Sequence, residues 1–371
     1  MPQRAVLKEK ILNFIDASPA FSLSPGTEHE QEFHHLALEV FAYQFENNEA
    51  YQRLCRLRNA TPETVQRWQD IPAVTTTSFK SVPLFCHPLE NAGFVFYTSG
   101  TTRTQPGEHY FYDLDLYKKG SLKSFAAACL DDRQRLPMLI IGPSAEFFPH
   151  SSLGRMFSWC MREYGEDGSA ILFTPRGVDV EFACDWLEEY AGAGKALIIL
   201  ATSLALADLV TALEETGARI PLPAGSRILD TGGSKGRHLT IPRAELLQRT
   251  ASVFALPETM IFNEYGMTEM SSQYYQTSIL SGQLGADPAV HLSSPWLRSL
   301  ACDPDTLELL PEGSKGILRH FDLLNLDSVA MLQTEDLGQV QGHSLILHGR
   351  LPGAEPRGCS LLSESLLSYR Q

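Results

Sequence analysis

The feature that most constrains this chain is an alternation of short apolar runs with longer helical patterns, which begins near residue 93. Five runs have the length and residue types of buried strands: residues 94–97, 138–141, 170–173, 196–200 and 227–229. Segments with helical spacing lie between them, at residues 114–130, 153–164, 180–191 and 203–216. This alternation predicts an α/β fold with a mixed or largely parallel sheet that is flanked by helices.

The pattern changes on both sides of this region, and the change predicts three parts. Residues 1–70 are rich in helix-forming residues, so we expect a helical segment packed on the main domain. The main domain is expected over residues 71–340, with shorter strands and turns after about residue 303. Glycine and proline recur in residues 341–371, which we expect to form a hinge and a short C-terminal arm.

Composition limits the partners and the compartment. The chain has 44 acidic and 30 basic residues and a net charge of −14, which argues against nucleic acid as a partner. The seven cysteines are scattered and contain no Cys-x-x-Cys pair, which indicates reduced thiols rather than disulfides or a zinc site. The most apolar stretch, residues 196–210, is interrupted by polar residues and is shorter than the roughly 20 residues of a membrane span. We therefore expect a cytoplasmic protein with no membrane span.

A hydroxyl-rich loop follows the first strand-like run. Its glycine allows backbone N–H groups to point inward, and its hydroxyls add donors, so the loop can wrap an anion. It is not a Walker loop, because no glycine-lysine-serine or glycine-lysine-threonine sequence follows. A polar turn after a strand is the alternative reading. The residues concerned are Thr98, Ser99, Gly100, Thr101 and Thr102.

A second motif, NEYGMTE, begins at residue 263 and also follows an apolar run. It places an aromatic ring, a tight glycine, a hydroxyl and a carboxylate within five positions. Such a set can stack a base, bond a phosphate and hold a magnesium ion, although a surface turn is an equally good reading of the motif alone. The residues concerned are Glu264, Tyr265, Gly266, Thr268 and Glu269.

A third motif combines an acidic residue with an arginine further along the chain. Asp336 lies in the sequence TEDLG, and Arg350 ends the sequence HGR. An aspartate can accept two hydrogen bonds from a ribose diol, and an arginine offers a fixed fork of donors for ribose or phosphate. A structural salt bridge is the alternative for each residue.

Together, in this order and spacing, the three motifs resemble those of the adenylate-forming ligase superfamily. The closer resemblance is to the acyl-protein synthetases of bacterial bioluminescence, the LuxE family, and it runs from about residue 65 to the end of the chain. Further stretches carry it: WQDIP at 68–72, HSSLGRM at 150–156, TGGSK at 231–235, and the tail from 349 to 361. The chain stops 21 residues after Arg350, so we expect no full C-terminal domain of the kind found in acyl-CoA synthetases.

The resemblance implies that a carboxylate attacks the α-phosphate of ATP in the presence of Mg²⁺, giving an acyl-adenylate and pyrophosphate. Residues 98–102 would hold the β- and γ-phosphates. Tyr265 would stack on adenine, Thr268 would bond the α-phosphate and Glu269 would hold Mg²⁺. Asp336 would take the ribose hydroxyls, with support from Arg350.

The resemblance also implies roles nearer the acyl group. Gly232 and Gly233 match a glycine pair that lets backbone approach the adenylate, and His150 matches a residue near the acyl carboxylate. In the superfamily a catalytic lysine lies in the C-terminal domain, and Lys235 is our candidate to replace it in this chain. The alternative for Lys235 is a solvated lysine in a loop. Cys359 would accept the acyl group before its delivery to a reductase subunit, and Arg357 would favour its thiolate. The alternative for Cys359 is a small buried residue.

Other readings remain open or are weak. An alternative acceptor is the thiol of an acyl carrier protein or of coenzyme A, and an alternative substrate is an aryl acid. A non-catalytic nucleotide-binding subunit is the alternative of another class. Hydrolysis through Ser234 lacks the helix that a nucleophile elbow needs. The pair His29 and His34 is spaced one residue too far apart for a zinc-protease helix.

Overall fold

The computed structural model describes residues 2–23, 26–98, 106–130, 134–174, 177–232, 241–276 and 290–352, and singly Ile279, Gly282 and Asp287. Its helices are α1 (Pro2–Ala17), α2 (Thr27–Asn47), α3 (Glu49–Leu57), α4 (Asp115–Cys129), α5 (Ser152–Tyr164), α6 (Val180–Gly192), α7 (Ser203–Glu215) and α8 (Arg243–Phe254). Among these described helices, none is long and apolar enough to cross a membrane.

The strands begin with short pieces and lengthen toward the end of the chain. The first eight are β1 (Val74–Thr75), β2 (Phe94–Tyr97), β3 (Glu108–Phe111), β4 (Met138–Ile141), β5 (Ala170–Ile171), β6 (Phe173–Thr174), β7 (Gly177–Val178) and β8 (Ile198–Thr202). The others are β9 (Arg227–Thr231), β10 (Ile261–Tyr265), β11 (Tyr274–Gln276), β12 (His291–Ser293), β13 (Leu297–Cys302), β14 (Lys315–Asp322), β15 (Met331–Gln341) and β16 (Ser344–Arg350). The predicted α/β fold class is confirmed.

Most strands form one mixed sheet. Its order is β13-β14-β15-β16-β12-β11-β10-β9-β8-β4-β5, and β1 pairs with β15. In this order the neighbours β5, β4, β8, β9 and β10 pair in parallel. The neighbours β10, β11, β12, β16, β15, β14 and β13 pair antiparallel. Separate two-stranded ribbons are formed by β2 with β3 and by β6 with β7.

The parallel half of the sheet is covered on both faces, which explains its continuous apolar strands. All four residues of β4 and all five of β8 are buried. On one face the core includes residues of α4 and α5, such as Phe125 and Phe157, and on the other it includes residues of α6 and α7, such as Leu187 and Leu209.

The N-terminal helices pack on the antiparallel half of the sheet. Apolar residues of α1 and α2, including Phe14 and Phe33, share a core cluster with Phe321 of β14. One difference concerns residues 61–64, where proline after threonine predicts the start of a helix. The structure forms only a turn there, in which the backbone N–H of Thr61 donates to Thr64 Oγ1.

The predicted strands differ from the structure mainly at their ends. The runs at 94–97 and 138–141 coincide with β2 and β4, and the run at 227–229 continues to Thr231 as β9. The run at 170–173 is divided between β5 and β6, because it leaves one pairing partner for another at Leu172. Strand boundaries depend on tertiary pairing, which apolar runs alone do not encode.

Candidate active site

The candidate site lies where the parallel strands β9 and β10 end. In this parallel pair Thr231 stands opposite Glu264, so the chain leaves both strands at the same edge of the sheet. Gly232 follows β9 with φ of 91°, a backbone conformation that side-chain-bearing residues rarely adopt. Gly266 follows β10, and a Cβ there would lie 2.5 Å from Glu264 Oε1. The edge at the carboxyl ends of parallel strands is where α/β folds bind ligands.

The second and third motifs meet at Asp336. Tyr265 Oη donates a hydrogen bond to Asp336 Oδ2 at 2.9 Å. Asp336 stands opposite Arg350 in the antiparallel pair of β15 and β16, and Arg350 Nε lies 3.1 Å from Asp336 Oδ1. Arg350 Nη2 also donates to Glu335 Oε2 at 2.6 Å. An aromatic ring, a carboxylate and a guanidinium are therefore gathered at one point, although 71 residues separate Tyr265 from Asp336.

Strand order alone would not bring Tyr265 so close to Asp336. Three strands, β11, β12 and β16, lie between β10 and β15. In a flat sheet that order would put the two strands about 19 Å apart, at about 4.8 Å per step, which is beyond the reach of a tyrosine side chain. The hydrogen bond therefore requires the sheet to curl strongly between β10 and β15.

Thr268 lies beside a buried histidine that the sequence did not indicate. The carbonyl oxygen of Thr268 accepts a hydrogen bond from His109 Nδ1 at 2.7 Å, and Ser328 Oγ lies 2.9 Å from His109 Nε2. Burial lowers the pKa of His109 to about 4, so the ring is neutral at neutral pH and Nε2 accepts from the serine. Ser152, the first residue of α5, lies within 3.4 Å of the Thr268 hydroxyl through its own Oγ.

Two hydrogen bonds between Thr98 and Gly107 join the two ends of the hydroxyl-rich loop. The Thr98 N–H donates to the Gly107 carbonyl at 2.8 Å, and the Gly107 N–H donates to Thr98 Oγ1 at 2.8 Å. His150 lies beside the strand that leads into this loop. Its ring stacks on Tyr97 at a centroid distance of 4.5 Å, and its Nδ1 donates to the Val95 carbonyl at 2.9 Å.

Glu264 is a carboxyl group inside the sheet. It is 3% exposed and accepts a short hydrogen bond from Thr231 Oγ1. Burial raises its pKa to about 7, because the surrounding apolar core disfavours the charged form. As the neighbour of Tyr265 in β10, it points to the opposite face of the sheet. The structure therefore places Glu264 away from the cluster of Tyr265, Asp336 and Arg350.

Glu269 is the candidate metal ligand, and it is 3% exposed. Its carbonyl oxygen accepts from Asn325 Nδ2 at 2.8 Å. Ser271 and Ser272, two and three positions further on, are fixed as well, since their N–H groups donate to Asp322 Oδ2 at 2.8 and 2.7 Å. Among the described residues no group of three or more His, Cys, Asp or Glu could hold a metal ion. One carboxylate fits Mg²⁺ where phosphate oxygens supply most other ligands.

Several predicted site residues lie outside the described residues, so the structure assigns them no position. Of the hydroxyl-rich loop only Thr98 is described, and of the glycine pair only Gly232. The residues outside are Ser99, Gly100, Thr101, Thr102, Gly233, Lys235, Arg357 and Cys359. Their roles stay predictions, as do those of the residues that the structure brings together.

The fold is that of the adenylate-forming ligases. Two crystal structures of a 2-hydroxyisobutyryl-CoA ligase are similar to the chain. The open conformation with 2-HIB-AMP and CoA matches with a TM-score of 0.62 and 14% identity, over 87% of this chain and 71% of that one. The postadenylation state with 2-HIB-AMP matches with a TM-score of 0.63 and 15% identity, over 90% and 70%.

Among curated proteins, the chain is similar to the long-chain-fatty-acid–luciferin-component ligase of Vibrio harveyi. The two are 21% identical over 337 residues, which cover 88% of this chain and 85% of that protein. No family model matches the chain. These findings confirm the resemblance that the motifs indicate, and they support an enzyme of the adenylate-forming acyl ligase type.

Proposed function

We propose that this chain is an ATP-dependent acyl-protein synthetase of the cytoplasm. It activates a fatty acid as acyl-AMP and transfers the acyl group to a thiol, first of all to Cys359 of the same chain. The observation that carries the proposal is the contact of Tyr265 with Asp336, because it unites two of the three motifs at one point. The name of the Vibrio harveyi relative specifies a long-chain fatty acid, which supports this class of substrate.

The described residues suit a nucleotide that lies along the edge where β9 and β10 end. Adenine stacks on Tyr265, and the ribose hydroxyls donate to Asp336, whose position Arg350 fixes. Thr268 bonds the α-phosphate, and the positive φ of Gly232 lets the backbone after β9 approach it. Residues 98–102 hold the β- and γ-phosphates. Glu269 holds Mg²⁺, which supplies positive charge to the phosphate oxygens.

In the first half-reaction, a carboxylate oxygen of the acid attacks the α-phosphorus of ATP. A phosphorus–oxygen bond forms, and the bond to the departing pyrophosphate breaks. Negative charge accumulates on phosphate oxygens in the transition state, so hydrogen bonds from Thr268 and positive charge from Lys235 lower the barrier. His150, whose ring is held against Tyr97 and Val95, lies beside the carboxylate.

In the second half-reaction, the Cys359 thiolate attacks the acyl carbonyl carbon. A carbon–sulfur bond forms, AMP leaves with the electron pair of the carbon–oxygen bond, and the thiol proton has gone to solvent. The Leu351 N–H donates to the Glu335 carbonyl at 2.9 Å, which holds the chain beside Asp336. Cys359 comes eight positions after Leu351, and an extended chain spans about 26–29 Å over eight steps. This reach is ample for a nucleotide whose ribose lies on Asp336.

The cysteines of the described residues are poor alternatives to Cys359. Burial raises the pKa of every one of these six thiols, so little thiolate forms at neutral pH. Five of them are buried, and Cys184 is partly exposed. Cys184 is therefore the matched control for a thiol that reacts without a specific site.

The test is intact-mass measurement together with pyrophosphate release, after incubation with ATP, Mg²⁺ and a panel of fatty and aryl acids. We expect pyrophosphate release with a fatty acid and an added acyl mass that hydroxylamine removes. Cys359→Ala should abolish the acyl mass and keep pyrophosphate release, whereas Cys184→Ala should change neither.

Other outcomes assign other functions. An acyl mass that persists in Cys359→Ala rejects self-acylation at that residue. Pyrophosphate release with no acyl mass, followed by thioester on an added acyl carrier protein or coenzyme A, identifies an external acceptor. Nucleotide binding with no pyrophosphate release for any acid identifies a non-catalytic subunit. Acyl transfer from the labelled protein to a reductase would establish that enzyme as the partner.

A further inference from the structure

His291 is a buried histidine beside Tyr265 that the proposed function does not use. It lies on β12 and is 6% exposed. Its ring centroid is 6.5 Å from that of Tyr265, with an interplanar angle of 74°. The strand registers place Tyr265 opposite Tyr274 and Tyr274 opposite Ser293, so Tyr265 and His291 share one face of the sheet.

A chain of hydrogen bonds fixes which ring nitrogen of His291 carries the proton. Asn263 Nδ2 donates to the Asp230 carbonyl at 3.1 Å, so Asn263 Oδ1 is the acceptor end of that amide. His291 Nε2 lies 2.7 Å from Asn263 Oδ1 and must therefore be the N–H donor. Burial lowers the pKa of His291 to about 3, so the ring is neutral and Nδ1 carries no hydrogen.

The Nδ1 atom of His291 is thus a buried acceptor, and it has no hydrogen-bond partner within the described part of the chain. A buried polar atom without a partner costs free energy, and such an atom in a native structure calls for an explanation. The same atom becomes favourable when a ligand brings a donor to it. An acceptor at this place favours a ligand that brings a hydrogen-bond donor to it.

We propose that His291 Nδ1 accepts a hydrogen bond from the exocyclic amino group of the adenine that stacks on Tyr265, and so selects ATP over nucleotides without that group. The inference rests on the proposed function, because it takes the base to lie on Tyr265. A purine with oxygen at position 6 puts an acceptor against Nδ1 and is rejected. An analogue that lacks the donor leaves Nδ1 without a partner and loses the contribution of one neutral hydrogen bond.

The first test is equilibrium binding of three nucleotides to the full chain without any acid. They are ATP, purine riboside triphosphate, which lacks the amino group, and inosine triphosphate, which has oxygen in its place. We expect ATP to bind roughly three- to tenfold more tightly than purine riboside triphosphate, the range of one neutral hydrogen bond. Inosine triphosphate should bind more weakly still. Equal affinities for ATP and purine riboside triphosphate would overturn the inference.

The second test separates the two nitrogens of His291. In His291→Gln the side-chain amide nitrogen reaches the position of Nε2, so the bond to Asn263 is kept and the Nδ1 acceptor is lost. In His291→Asn the side-chain oxygen takes the place of Nδ1, so the acceptor is kept. We expect the glutamine variant to lose the preference for ATP over purine riboside triphosphate, and the asparagine variant to retain it. The exposed His35→Gln on α2 should retain it as well.

The outcomes keep this inference apart from the proposed function. A preference that survives in His291→Gln, or that disappears equally in both variants, rejects the role of Nδ1. Because the ratio is measured without acid, the inference can stand even if no acid is activated. Pyrophosphate release with unchanged base selectivity would support the enzyme and reject the inference. Failure to bind any of the three nucleotides would reject both.

Discussion

At the scale of single residues, Asp336 joins side chains from two distant parts of the chain. One of its oxygens accepts from Tyr265, and the other lies beside Arg350. Both groups are donors, so they fix the carboxylate in one orientation before any ligand arrives. A preorganised acceptor loses little conformational freedom when a ribose binds.

The substitution Asp336→Asn tests this carboxylate. The amide keeps the size of the side chain but removes its charge and one acceptor, and hydrogen bonds to charged groups contribute about 1.5–3 kcal/mol. We expect the KM for ATP in pyrophosphate release to rise by about tenfold or more, while the KM for the acid changes little. The exposed Asp305→Asn is the control and should leave both constants unchanged. An unchanged KM for ATP in Asp336→Asn would contradict the assignment.

Glu264 leads to a prediction about pH and stability. Its pKa is raised from 4.5 to about 7 by burial, so between these values the folded state holds a proton that the unfolded state releases. The contribution of this group to stability therefore falls as the pH rises through that window. Gln does not titrate, so Glu264→Gln should gain about 3 kcal/mol relative to wild type between pH 4 and pH 8.

The measurement is denaturant unfolding of both proteins at several pH values across that window. The exposed Glu258→Gln serves as the control, because its carboxyl is in solvent. A difference between Glu264→Gln and wild type that stays constant with pH would show that folding does not raise the pKa of Glu264.

At the scale of elements, β14 is held tightly between two partners. It pairs with β13 on one side and β15 on the other, and its register shifts between Ile317 and Arg319. Gly316 lies just before that irregularity. A Cβ there would clash with the Cys302 carbonyl oxygen and lie 2.9 Å from the Cys302 nitrogen. Both atoms belong to backbone, so neither can move without disturbing β13.

We expect Gly316→Ala to lower the free energy of unfolding by about 1–3 kcal/mol, the usual cost of overpacking a buried site. Gly192→Ala is the matched control, because a Cβ there meets nothing within 4 Å at the end of α6. It should be neutral or stabilise by up to about 1 kcal/mol, through lower entropy of the unfolded chain. Thermal or denaturant unfolding measures the stabilities of the two variants and of the wild type. Equal stabilities of the two variants would contradict the close approach at Gly316.

The same scale shows what the sequence could predict. Local signals were sufficient for β2, β4 and α5, because apolar runs and capping residues are encoded within a few positions. The contact of Tyr265 with Asp336 was expected only through the resemblance, since no local pattern specifies how a sheet curls. His109 and His291 were missed, because each looks like an ordinary strand residue until its partners from other elements are known.

At the scale of the whole molecule, an ion pair fastens the first helix to the antiparallel half of the sheet. Arg4 of α1 contacts Asp327 through Nε at 2.5 Å and Asp113 through Nη2 at 2.9 Å. The Arg4 side chain is 9% exposed and that of Asp327 is 7% exposed, so this pair is buried. Removing one partner of a buried pair leaves a charge without compensation, and that is strongly destabilising.

We therefore expect Arg4→Met to lower the free energy of unfolding by about 3–5 kcal/mol at pH 7. The exposed Arg53→Met, which breaks an ion pair with Glu49 on the surface of α3, should cost less than about 1 kcal/mol. Denaturant unfolding measures both. A similar small loss in the two variants would show that the Arg4 pair contributes no more than a surface pair.

The pH dependence of the Arg4 pair has a defined sign. The pKa of Asp327 is lowered by its bonds with Arg4 and His87 in spite of burial. A lowered pKa stabilises the folded state above the ordinary pKa of the carboxyl, and that contribution is lost as the pH falls through the folded value. The gap between wild type and Arg4→Met should accordingly narrow in acid, and a gap that widens there would contradict this sign.

The packing of α1 also determines when the protein can finish folding during its synthesis. Arg4 and Asp327 are 323 residues apart, and α1 shares its core cluster with β14 and β15. The ribosome makes α1 well before it makes β14 and β15, the strands on which α1 packs. Until then α1 can pack only on α2 and α4, and the apolar surface that faces β14 and β15 stays uncovered, a condition under which nascent chains aggregate or recruit chaperones. The packing of α1 is therefore completed when the strands that carry Asp336 and Arg350 assemble.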